Sequence, residues 1–168
     1  MYHVILTSLL AMSLLLIPSH AAGNDSWVDR CVAVIDGDTI VVARGAERVE
    51  VDLAGIDCPE LGQPFGDEAK RFTAGMVCRQ IVKVQVKRNS SGRTVGRVTV
   101  FGRDLSLELV EAGLAWHYHR KLQDPALAKA ENEARQVDRG LWSDQNPIAP
   151  WVWRLGHREP VHPRDGCL

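Results

Sequence analysis

The chain is short of charge at one end and short of one sign of charge in its middle. Of its 168 residues, none before Asp25 is Asp, Glu, Lys or Arg, and none from 69 to 103 is acidic. Its four cysteines include no Cys-x-x-Cys pair, and no Cys/His spacing suits zinc. There is no internal repeat and no low-complexity run, which excludes a repeat architecture. The length suits one domain with a sizeable core, plus a targeting segment and a tail.

Residues 4–18 are almost wholly apolar but too few to span a bilayer comfortably. Ser19-His20-Ala21 follows with the small residues that a signal peptidase reads. Residues 1–21 are therefore read as a cleaved signal peptide rather than a short anchor, although no Lys or Arg opens the segment. The expected product is secreted or periplasmic, with no stable membrane association once processed. In such an oxidising compartment Cys31, Cys58, Cys78 and Cys167 serve structure. Four cysteines allow three pairings, which sequence does not decide; Cys31–Cys78 is favoured because both flank apolar runs. Asn24 and Asn89 begin N-x-S sequons, which matter only where the host glycosylates.

The formal net charge of −1 does not announce a polyanion binder. The gap in acids says more, because Lys70, Arg71, Arg79, Lys83, Lys87, Arg88, Arg93, Arg97 and Arg103 all fall inside it. Such a stripe can attract phosphates even when the total cancels, though ordinary solvated faces would look alike.

Alternation predicts strands over 27–35, 39–43 and 49–53, with Asp36-Gly37 as a type I′ hairpin turn. Val49, Val51 and Leu53 are expected to face the core, and Arg48, Glu50 and Asp52 to face away. A helix over 67–78 carries Ala69, Phe72, Thr73, Met76 and Val77 on one stripe. Strands over 81–87 and 95–101 follow, then a short helix over 105–112 stopped by Gly113. Asp124-Pro125 caps a last helix with Leu127, Ala130, Ala134 and Val137 on one face. The order β-β-β-α-β-β-α-α is that of an α+β protein, a five-stranded OB-fold barrel with three helices. The domain is placed at 22–142, and 143–168 is a Pro/Trp-rich tail packed by its tryptophans.

Residues 35–60 carry the chemistry. Asp-Gly-Asp-Thr and Asp-Cys-Pro-Glu are each weak alone, but two strands of matching length bring both to one end of a meander. Asp38, Asp57 and Glu60 would then converge, which is how separate backbone segments collect a hard cation.

From 27 to 142 the chain resembles the staphylococcal nuclease (thermonuclease) family. The resemblance rests on Val34-Ile35-Asp36-Gly37-Asp38-Thr39, Leu53-Ala54-Gly55-Ile56-Asp57-Cys58-Pro59-Glu60, Gly96-Arg97, Leu109-Val110-Glu111-Ala112-Gly113-Leu114-Ala115 and Arg139-Gly140-Leu141-Trp142. Gln63-Pro64-Phe65-Gly66 and the final Pro-Trp-Val-Trp-Arg resemble secreted bacterial members. It implies Ca²⁺-dependent hydrolysis of DNA and RNA phosphodiesters, with little sequence specificity and a preference for single strands, by a monomer. Asp38 and Asp57 match the metal carboxylates, the Cys58 backbone carbonyl completes the shell, and Glu60 matches the residue that positions or deprotonates water. Arg97 matches the phosphate-binding arginine, a role that suits its planar fork. Arg93, Lys87, Tyr118 and His119 are further candidates for substrate contact.

Departures are informative too. Asp52 stands where the family usually places a second arginine, so a cationic clamp has become a carboxylate. Arg48 lies about 13 Å away along the strand, a long reach for a substitute. Losing one preorganised donor costs about 10²–10³ in rate, so turnover is expected to be slow. Residues 93–97 lack the usual Asp-x-Tyr, and 116–120 lack the usual paired tyrosines. The competing readings are an OB module that binds nucleic acid with weakened catalysis, favoured by Asp52, and a structural OB domain whose acids cap turns. Three converging carboxylates repel a polyanion unless a metal sits among them, and that favours the nuclease.

Overall fold

The computed structural model describes residues 25–90, 93–120, 122–157 and 166–167. The expected signal segment and Asn24 lie outside these. Five long strands form the barrel: β1 (Ser26–Val34), β2 (Thr39–Arg44), β3 (Glu47–Leu53), β5 (Ile81–Ser90) and β6 (Arg93–Val100), with a two-residue β4 (Ile56–Asp57) between β3 and β5. They run antiparallel in the order β3-β2-β1-β5-β6. Parallel pairing of β3 with β6, from Val51 opposite Thr94 to Leu53 opposite Gly96, closes the ring. Closure removes the exposed edges that an open five-stranded sheet would leave.

Alternation of valine with polar residues causes this. Ile40, Val42, Val51, Val82, Val84, Val98 and Val100 all point inward and are almost fully buried. Each such side chain contributes about 1.5–3 kcal/mol of transfer free energy. Arg48, Glu50 and Asp52 face outward as their register requires. Helix α1 (Gly66–Val77) lays Ala69, Thr73 and Val77 on the barrel, with Phe72 and Met76 at the margin. After a short β7 (Arg103–Asp104), helix α2 (Leu105–Glu111) closes the barrel with Leu105, Leu109 and Val110. Helix α3 (Pro125–Gln136) starts on Asp124, whose carboxylate accepts from the Ala126 N–H, and buries Leu127, Ala130 and Ala134. Val137 does not join that face; it lies just past the helix end and is exposed.

The short strands β4, β7 and β8 (Trp116–His117), a 3-10 turn over Gly140–Ser143 and a fourth helix in the tail, α4 (Pro150–Gly156), go beyond the expected β-β-β-α-β-β-α-α order. β4 pairs with β8, and β7 with β6. Edge-on contact of Trp151 with Trp116, 5.6 Å between ring centroids, seats α4, and Trp116 in turn meets Trp142 at 4.5 Å. Tyr118 stacks on Trp151 at 4.9 Å. Among the described residues, no helix is long and apolar enough to cross a membrane.

Two local expectations are corrected. Gly37 has no left-handed backbone, so Asp36-Gly37 is not a type I′ turn. Instead the Asp36 side chain accepts from the N–H groups of Asp38 (3.0 Å) and Thr39 (2.7 Å). Glycine is needed there for space, since a Cβ would lie 2.7 Å from that of Cys58 and 2.8 Å from that of Ala69. The disulfide joins Cys78 to Cys167, with Cα atoms 5.4 Å apart, and not Cys31 to Cys78. Cys31 points into the core, where burial pushes its thiol up to about 11. Gly166 and Cys167 run beside β1, with the Cys167 N–H on the Val32 carbonyl, and this delivers Cys167 to the end of α1. Cys58 is the other free thiol and is buried.

Candidate active site

The turn between β1 and β2 and the segment after β4 meet at one end of the barrel. Thr73 of α1, fully buried, donates its hydroxyl to the Gly37 carbonyl at 2.6 Å and holds the turn down. The Cys58 N–H donates to Asp38 Oδ2 at 2.7 Å, tying the two segments directly. Pairing of Ile56 and Asp57 with His117 and Trp116 fixes the backbone at Asp57. Glu60 is fixed from two sides. Its N–H donates to Gln63 Oε1 at 3.0 Å, while the Gln63 amide donates to the Ile148 carbonyl in the tail at 2.6 Å. Gly66 packs so tightly that a Cβ would sit 2.0 Å from the Glu60 carbonyl oxygen.

Asp38, Asp57 and Glu60 line a cavity of about 470 Å³. Six carboxylates face it (Asp36, Asp38, Glu50, Asp52, Asp57 and Glu60) against three guanidiniums, those of Arg88, Arg93 and Arg154. Negative charge is therefore in excess, and the protonation states register it. Burial, and then the neighbouring carboxylates of Asp36 and Asp57, hold the Asp38 carboxyl well above its usual range. Burial also raises Glu60, outweighing the opposing pull of Arg154. The Cys58 thiol is pushed up by burial first and by the same acids second, so it stays protonated.

Arg154, from α4, is the residue that sequence reasoning missed. Its Nη1 is 3.1 Å from Asp57 Oδ1 and its Nη2 is 2.8 Å from Asp57 Oδ2, a bidentate pair, and Nη1 also donates to Glu60 Oε1. The hydrogen bonds to Asp57 raise its already high pKa, so it carries a fixed positive charge. The tryptophans around it signalled a docked tail, but nothing in their spacing pointed to the acids.

The other expected residues divide. Asp38, Asp57 and Glu60 do come together. Arg93 lines the same cavity, with its Nη2 3.3 Å from Asp52 Oδ1. Arg97 is not with them. It lies on the same outward row of β6, about 13 Å further along the strand, and reaches away from the cavity. There its guanidinium pairs with Asp124 at 2.8 Å and Asp104 at 3.3 Å, the capping residues of α3 and α2. The chain holds two Gly-Arg pairs, Gly92-Arg93 and Gly96-Arg97, and the earlier one reaches the acids. A register shift between Val86 and Arg88 turns Arg88 to the cavity and leaves Lys87 exposed outside its lining. Tyr118 is stacked on Trp151, and His119 is exposed with its ring 6.4 Å from that of His117.

Among the described residues, no three His, Cys, Asp or Glu side chains stand close enough to hold a metal ion as they are, and both Asp57 oxygens are on Arg154. The donor chemistry nonetheless fits a hard divalent cation: the ligating groups are carboxylate oxygens that repel one another, and they already take a positive group.

Comparison with known proteins agrees with this geometry. Residues 50–144 match the family described as staphylococcal nuclease homologue. An Escherichia coli O157:H7 protein named an uncharacterized endonuclease is 40% identical over 132 residues, covering 77% of this chain and 85% of that one. A Haemophilus influenzae protein with the same description is 34% identical over 153 residues, covering 90% and 84%. The micrococcal nuclease of Shigella flexneri is 37% identical over 152 residues, covering 82% and 87%.

Proposed function

This chain belongs to the staphylococcal nuclease family and is a phosphodiester-hydrolysing nuclease; we propose that it is exported, uses Ca²⁺, and cuts DNA and RNA with little sequence specificity and single strands preferred. The observation that carries the reading is the meeting of Asp38, Asp57 and Glu60 with Arg93 on one cavity. Asp38, Asp57 and the Cys58 carbonyl would hold the ion, which when bound draws charge off the phosphate. Glu60 holds or deprotonates the attacking water, and its burial keeps the carboxyl a better base than an exposed one. Arg93 takes the phosphate-binding role that the sequence had assigned to Arg97, by virtue of where its guanidinium lies. Asp52 opposes it, because the ion pair with Arg93 competes with phosphate and slows turnover. Support for export is the Cys78–Cys167 bond, which persists in an oxidising compartment.

The test is digestion of single-stranded DNA, double-stranded DNA and RNA by the full chain, with Ca²⁺ and with chelator. Cleavage is expected with Ca²⁺ alone, fastest on the single strand. Cleavage that survives chelation, or tight binding without cleavage, overturns the reading.

A further inference from the structure

Among the described residues, Arg154 is the cationic side chain of the C-terminal tail that reaches this site. It is 29% exposed, so its charge sits largely within the cavity wall. Both oxygens of Asp57, a residue only 5% exposed, are committed to it. A divalent ion taking Asp57 as a ligand competes with that bidentate pair, and the ion and the guanidinium repel. Arg154 cannot travel far, because α4 is seated by Trp151 against Trp116 and Tyr118, and the chain before it is held through Ile148 on Gln63. A guanidinium released beside a cation and confined to an acid-lined cavity finds its best partner in the polyanion that enters. Its planar fork matches two phosphate oxygens. Position 52, which also faces the cavity, offers a carboxylate and no such partner.

From this geometry we propose that Arg154 is a substrate-holding residue of the nuclease. It rests on Asp57 and Glu60 in the metal-free protein and passes to the substrate phosphate when a divalent ion takes Asp57. The inference rests on the metal-dependent reading above. It gives the tail a part in the chemistry and couples ion binding to phosphate capture, since the two partners of Arg154 exchange in one event.

Opposite signs in two binding measurements test it. Ca²⁺ alone is titrated calorimetrically into the full chain and into Arg154→Ala. A single-stranded phosphorothioate oligonucleotide is then titrated into each with Ca²⁺ present. Removing the resident guanidinium is expected to tighten Ca²⁺ binding about ten-fold and to weaken oligonucleotide binding about ten-fold. Arg154→Lys keeps a charge but lacks the planar fork that takes both Asp57 oxygens; it is expected to shift both constants in the same directions by less, and it serves if the alanine variant does not fold. A merely structural role would weaken both together, and that result overturns the proposal, as does wild-type behaviour of both variants. If the wild-type chain itself binds no Ca²⁺, the metal reading fails and the proposal falls with it. That outcome is told apart because it is already visible before any substitution.

Discussion

Arg93 and Arg97 stand four residues apart on one strand, and their surroundings give them different work. Arg93 opens onto the carboxylates, whereas Arg97 bridges the acidic caps of two helices. Arg93→Ala is expected to lower kcat/KM about 10²-fold, as loss of one preorganised donor does, with little change in Tm. Arg97→Ala should cost about 1 kcal/mol of stability, the scale of partly exposed ion pairs, and leave turnover within a few-fold. Steady-state kinetics with thermal melts on both variants separate the two roles. Asp52 gives a third comparison. Asp52→Arg is expected to raise kcat/KM about ten-fold by releasing Arg93 and adding a cation; a rate unchanged or lower shows that the Asp52–Arg93 pair does not limit the enzyme. Sequence placed Asp38, Asp57 and Glu60 together correctly because two strands of known rise separate them. The arginine it chose, Arg97, does not reach these acids; both Gly-Arg pairs satisfy the same pattern, and only the path of the outward row decides which side chain lies there.

At the scale of elements, the site depends on how closely α1 approaches the loop that carries Glu60. Gly66 opens that helix, and an added Cβ would lie 2.0 Å from the Glu60 carbonyl, with no flexible side chain to give way. Gly66→Ala is therefore expected to cost about 1–3 kcal/mol in denaturant unfolding and to depress cleavage further than the lost stability explains. The barrel strands were legible because Val49, Val51 and Leu53 alternate with charge, and one register satisfies both faces. The first turn was not. Asp36-Gly37 has the composition of a type I′ hairpin, but the Asp36 side chain supplies the turn's hydrogen bonds and the glycine serves the packing of Cys58 and Ala69. Helix α4 was illegible for another reason. At seven residues it is too short to form on local preference, and its tryptophan contacts with Trp116 and Tyr118 hold it in place.

For the whole molecule, the tail is held by its tryptophan contacts and the Gln63–Ile148 bond, and also by the Arg154 pairs at the acids and by Cys78–Cys167 at the C-terminal end of α1. The disulfide spans a separation of 89 residues, and closing a loop of that size restricts the unfolded chain by about 4–5 kcal/mol in the chain-entropy account. Reduction is expected to lower Tm by about 10 °C and to loosen the seat of α4; an unchanged Tm shows that the tryptophans, the Arg154 pairs and the Gln63–Ile148 bond hold the tail without the disulfide. The pairing was beyond sequence reasoning because it follows from Gly166 and Cys167 aligning with β1, an approach that no spacing of cysteines records. The account as a whole stands on the carboxylates at the end of the barrel dividing the labour, with Asp38 and Asp57 serving the ion and Glu60 serving the water. Single-turnover cleavage of single-stranded DNA by Glu60→Ala, with its Ca²⁺ affinity measured in the same preparation, addresses that most directly. The account predicts a rate lower by about 10²–10⁴ with Ca²⁺ still bound; cleavage at the wild-type rate would contradict it.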